Sequence, residues 1–204
     1  MQPVASVLLS LAALAAAAPS SERRAVAADN SSPFQVYAYG TGIGGLAMFS
    51  SGGGSGDAYF GDHTKLNDTQ AAPVIFTPND NNTWTGAPNT TAIGNSTTPP
   101  TWSNLPFSIP SETSGSHDVG FSNSSSTDRQ TSGFTFYGSF IFVDSTSGGG
   151  MESLWYATPS SVDGIYNLKW NQTGDDSANK ITLTLKKTPP SNAQITTAEA
   201  ETSA

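Results

Sequence analysis

Lys180-Ile181-Thr182-Leu183-Thr184-Leu185-Lys186-Lys187 alternates apolar and polar side chains. Successive side chains of a strand point to opposite faces. Ile181, Leu183 and Leu185 therefore share a buried face, and Thr182, Thr184 and Lys186 a wet one. Other short apolar runs precede it at 34–39, 46–50, 58–61, 73–77, 119–122, 134–143, 152–157 and 164–170, separated by Gly, Pro, Asn, Asp and Ser. Strands at about ten-residue spacing with turn signals between them predict an all-β chain. The expected architecture is an antiparallel β-sandwich in a single domain, with a barrel as the alternative.

Within 164–170, Tyr166, Leu168 and Trp170 share a face opposite Asn167 and Lys169. In 134–143, Phe134, Phe136, Phe140 and Phe142 share parity, with Gly138 between them, and are expected to form the core of one sheet. The Gly/Ser-rich segments 50–56 and 145–150 read as hairpin connections. Segment 79–104 is polar and Pro-rich and reads as a long loop, with Trp84 and Trp102 its only large side chains. No internal repeat and no helical pattern is visible.

The chain has 204 residues, no Cys, 8 basic and 16 acidic side chains, and a net charge of −8. That balance argues against nucleic acid or an anionic membrane as partner. Absence of Cys removes thiol nucleophiles, thiolate metal sites and disulfides. The apolar run through Val7, Leu8, Leu9, Leu11 and Leu14, followed by small residues, reads as a signal peptide over 1–17 and places the protein outside the cell. A transmembrane helix needs about 20 apolar residues, more than this run supplies. Arg23-Arg24 would end a dibasic pro-segment over 18–24. Removing 1–24 takes Arg23, Arg24 and Glu22 and leaves 6 basic and 15 acidic side chains, net near −9. The domain proper is expected over 25–187, with a disordered tail over 188–204. Sequons begin at Asn30, Asn67, Asn81, Asn89, Asn95, Asn123 and Asn171, and predict N-glycosylation.

Chemistry-bearing motifs are sparse. Gly40-Thr41-Gly42-Ile43-Gly44-Gly45 lacks the helix a phosphate loop would open into, and reads as a turn between strands. His63 and His117 are the two histidines. Ser116-His117-Asp118 are sequence neighbours, a poor arrangement for a triad, and two His lack the third ligand of a metal site. Asp144, Glu152 and Asp163 are the best carboxylates for glycoside hydrolysis, which needs two across a cleft. Segment 174–179 carries Asp175 and Asp176 but lacks the EF-hand spacing. No catalytic residue, metal or cofactor is assigned. Trp155 and Trp170 lie on expected strands and read as core. Trp84 and Trp102 lie in polar sequence and are expected to be exposed, as a binding surface; Tyr37, Tyr39, Tyr59 and Tyr156 add further stacking material.

Three strings carry a resemblance: Phe34-Gln35-Val36-Tyr37-Ala38-Tyr39-Gly40-Thr41-Gly42-Ile43-Gly44-Gly45-Leu46, Asp57-Ala58-Tyr59-Phe60-Gly61-Asp62 and Gly164-Ile165-Tyr166-Asn167-Leu168-Lys169-Trp170. Together with the leader and dibasic pair, the layout over 34–188 resembles small Cys-free secreted proteins of filamentous ascomycete fungi. The resemblance implies an effector acting in the plant apoplast, with a host papain-like cysteine protease as candidate partner. The cystatin Q-x-V-x-G loop is absent. The expected protein is thus a secreted, glycosylated, non-enzymatic monomer that binds a host extracellular protein. The alternatives are a carbohydrate-binding or structural cell-wall protein, which requires aromatics on one exposed face, and a glycan-active hydrolase.

Overall fold

In a computed structural model that describes residues 30–52, 57–93, 98–122 and 126–191, the alternating C-terminal stretch becomes the last of fourteen strands. In chain order these are β1 (Tyr37–Gly40), β2 (Ile43–Ser50), β3 (Tyr59–Phe60), β4 (Ala72–Asn79), β5 (Thr83–Pro88), β6 (Leu105–Pro110) and β7 (Gly120–Phe121). They continue as β8 (Arg129–Gln130), β9 (Phe134–Tyr137), β10 (Phe140–Asp144), β11 (Met151–Glu152), β12 (Trp155–Pro159), β13 (Tyr166–Trp170) and β14 (Ile181–Lys186). The expected leader 1–17, the pro-segment 18–24, and Asn95 and Asn123 lie outside the described residues.

Every pairing among the described residues is antiparallel, and six strands close on themselves. β1 pairs with β2 and β14, β2 with β3, β3 with β13, β13 with β12, and β12 with β14. The barrel alternative is therefore realised within an all-β fold. Leu183 and Leu185 point inward from β14 and Ala38 from β1, all buried. β4, β5 and β6 extend from β2 through Phe49↔Pro73 and Ser50↔Ala72, with β7 and β8 on β6. The β9–β10–β11 ribbon joins β14 through Phe140↔Lys186.

Three expectations are corrected. Segment 79–104 is not one loop. Asn81 and Asn82 take positive φ (59° and 54°), which Asn tolerates, and reverse the chain so that β5 pairs with β4 from Val74 to Asn79. Run 134–143 is not one strand either. Gly138-Ser139 turns it into the β9–β10 hairpin, with Gly138 at φ 62°. That turn resets the parity: Ile141 opposes Phe136 and Val143 opposes Phe134, so Ile141 and Val143 are buried while Phe140 points outward. Finally, the described start of the 188–204 tail is held, because the Tyr39 hydroxyl donates to the Thr188 carbonyl at 3.2 Å; residues 192–204 lie outside the described residues.

Other expectations hold. Thr41-Gly42 is the turn between β1 and β2, and the 145–150 segment connects the paired strands β10 and β11; β2 and β3, which flank 50–56, also pair, with 53–56 outside the described residues. Trp155 and Trp170 are buried with ring centroids 4.5 Å apart, and Trp155 Nε1 donates to the Ile141 carbonyl at 3.0 Å.

Candidate functional site

The register of β1, β14 and β10 assembles an aromatic row on the outer face of the sheet. Because Leu183 and Leu185 face inward, Lys186 faces out. Tyr37 lies directly beside it on β1 and Phe140 on β10. Two strand spacings put Tyr37 and Phe140 about 10 Å apart at the backbone. Tyr39 follows Tyr37 on the same face, and Tyr137 opposes Phe140 across the hairpin. Tyr137 is 69% exposed and Phe140 37%, whereas most large apolar side chains of the described residues are buried.

Lys186 organises this row. Its Nζ lies 4.8 Å from the ring centroids of both Tyr39 and Phe140. A cation held over ring faces at this range is attracted by their quadrupoles, about 0.5–1 kcal/mol per contact at an exposed site. The Tyr37 hydroxyl donates to Gln35 Oε1 at 3.1 Å, and burial, then the neighbouring Tyr39, push the Tyr37 phenol above its usual range. Tyr37, Tyr39, Tyr137 and Phe140 stack on no other ring among the described residues, and Tyr137 is the most exposed of the four.

Trp84 and Trp102, expected to be exposed, are in the core at 3% and 9% exposure. Trp84 sits on β5 with parity that points inward, stacked on Phe136 at 5.1 Å and packed against Phe34, Phe76, Phe107 and Phe134. The Trp102 indole nitrogen donates to the Gln70 carbonyl at 2.9 Å, and its ring lies against Phe121. Polar neighbours in the sequence misled because Asn and Thr occupy the turn and the outer face of this hairpin while its inner face is apolar.

The carboxylate trio does not converge. Asp144 and Glu152 are on the paired strands β10 and β11, but Asp163 lies beyond the far end of the five-pair β12–β13 hairpin. Four residue steps alone span about 13 Å. Glu152 instead shares a cleft of about 270 Å³ with Glu112, His117 and Asn171. His117 Nδ1 lies 3.2 Å from the Trp170 carbonyl, and Ser116 Oγ donates to Asp118 rather than to the imidazole. Asp175 accepts hydrogen bonds from the Ser177 amide and the Tyr156 hydroxyl, as a turn carboxylate does. No group of three or more His, Cys, Asp or Glu suited to a metal ion occurs among the described residues. Of the sequons, Asn30, Asn67 and Asn81 are exposed, while Asn89 and Asn171 are half-buried.

Comparison with protein-family models, curated proteins and solved structures gives no match.

Proposed function

We propose that this chain is a secreted β-barrel protein that binds a polysaccharide on its outer aromatic face. The observation that carries the reading is the row Tyr37, Lys186 and Phe140 in one register across three strands, widened by Tyr39 and Tyr137. Sugar rings present apolar C–H faces that pack on exposed aromatic rings, and hydroxyl edges that seek donors. An open sheet face with about 10 Å between outer rings fits an extended glycan better than a small ligand in a closed pocket. This is the carbohydrate-binding alternative of the sequence reading, carried by sheet tyrosines and Phe140 in place of the two tryptophans. The test is retention of the purified protein on a panel of insoluble and immobilised polysaccharides, with Tyr137→Ala and Tyr39→Ala beside it. Retention of wild type and loss in both variants supports the proposal. Wild-type protein left in the supernatant with every polymer sinks it.

A second reading, inhibition of a papain-like cysteine protease, draws on the 145–150 loop. This exposed loop is held by Ser145 N–H to the Gly150 carbonyl (2.8 Å), Gly148 N–H to the Ser145 carbonyl (3.3 Å) and the Thr146 hydroxyl to Glu112 Oε1 (2.5 Å). Such cross-bonding lowers the entropy cost of presenting a loop to a cleft. Undiminished active-site labelling of the proteases in apoplastic fluid, with both partners intact, would remove it.

A further inference from the structure

We infer that the glycan recognised by this face is anionic, a uronic-acid-bearing polysaccharide, with Lys186 as its charge-selecting residue. The inference rests on the glycan-binding reading and adds the substrate class. Five of the six basic side chains of the described residues have oxygen partners. Lys65 Nζ bonds the Asp163 carbonyl, Arg129 bonds Ser108 and the Asp118 carbonyl, Lys169 pairs with Asp118, Lys180 bonds the Asp175 carbonyl and Lys187 bonds Asn30 Oδ1. Lys186 alone has none among the described residues; its ammonium is held only by the rings of Tyr39 and Phe140. A cation fixed over two rings occupies the faces a neutral sugar would stack on there. A carboxylate is the group that gains from that arrangement, by a charge-assisted hydrogen bond with a pre-positioned donor.

The net charge of −8 opposes a polyanion, and the question is whether that repulsion reaches the site. The strands that form the face, β1, β9, β10 and β14, carry one carboxylate, Asp144. It shares the outward parity of Phe140 but stands four residues along β10, about 13 Å away. That exceeds the screening length of about 8 Å at physiological salt, so the local cation prevails over the distant acids.

The experiment uses the full-length secreted protein with soluble polygalacturonate and a neutral β-glucan as probes, at equal ionic strength, with Lys186→Gln and Lys186→Arg. Wild type is expected to bind polygalacturonate about tenfold more tightly than the glucan. Lys186→Gln should abolish that preference, bringing the two affinities together, while Lys186→Arg retains it. Equal affinity of wild type for the two polymers, or equal loss of both in Lys186→Gln, overturns the inference and leaves glycan binding standing. Binding to neither polymer, nor to any other in the retention panel, overturns the glycan reading and this inference with it.

Discussion

Gly52 lies so close under Trp102 that a Cβ on the glycine would stand 2.0 Å from Cγ of the indole. The tryptophan fills the space a side chain would take, and its Nε1–H reaches the Gln70 carbonyl behind it. Gly42 provides the control, since it also has positive φ (76°, against 60° at Gly52) but a Cβ there meets nothing within 4 Å. Gly42→Ala measures the backbone cost alone, about 1–2 kcal/mol. Gly52→Ala adds the collision and should cost clearly more, approaching the 3–5 kcal/mol expected for Trp102→Ala. Urea unfolding of the three variants checks the order, and equal costs for the two glycines would refute the packing argument.

Arg129 ties the small strands β7 and β8 to β6. Its Nε and Nη2 donate to Ser108 Oγ at 3.0 and 2.8 Å, Nη2 to the Ser108 carbonyl at 3.0 Å and Nη1 to the Asp118 carbonyl at 2.7 Å. Ser108 is fully buried. Arg129→Met leaves these acceptors without their donor and should cost about 2–3 kcal/mol. Arg129→Lys should recover only part of it, because an ammonium cannot reproduce the fork. Equal stability of wild type and Arg129→Met in chemical denaturation would contradict this.

Stability and binding should separate between two aromatics. Trp84 is central to the core, so Trp84→Ala should lower stability by about 3–5 kcal/mol. Tyr137 is 69% exposed, so Tyr137→Ala should change stability by no more than about 0.5 kcal/mol. Thermal unfolding of the pair reads the difference directly, and a large loss in Tyr137→Ala would show that its effect on retention is structural.

Alternation made the barrel strands legible. Leu183 and Leu185, or Leu168 and Trp170, could be placed inward from parity alone, and the outcome agrees. Parity failed where a turn was hidden inside an apolar run: Gly138-Ser139 shifts Phe140 to the outer face, and that shift creates the candidate site. β6 is absent from the apolar runs: Pro106 and Pro110 have no N–H for a ladder and are depleted in strands, yet Phe107 and Ile109 are buried between them. Register is a property of pairing, so no local pattern could place Tyr37, Lys186 and Phe140 in one row. Tyr37 and Tyr39 were visible as stacking material, but the position of Lys186 between Tyr39 and Phe140 was not.

Asp57 sets an expected pH dependence. Burial, and then the charge of Asp118, push its carboxyl above the usual aspartate range, outweighing the bond from the Tyr59 hydroxyl (3.3 Å) and the charges of Lys169 and Arg129. The folded protein then holds a proton that the unfolded chain has released, over a window beginning near the ordinary aspartate value of about 3.9. Within that window the folded state binds more protons, so stability falls as pH rises through it, and the cost is fully present at neutral pH. Asp175 acts oppositely. Burial raises its carboxyl, but the bonds from Ser177 and Tyr156 hold it below its usual range, so its contribution is lost as pH falls. The difference between wild type and Asp57→Asn cancels the Asp175 contribution. The substituted amide stays neutral and can still accept from Tyr59, so the variant should gain stability relative to wild type as pH rises from about 3 to about 7. Thermal unfolding of both proteins across that range provides the measurement, and a difference that does not change with pH would show that Asp57 titrates alike in the folded and unfolded chains.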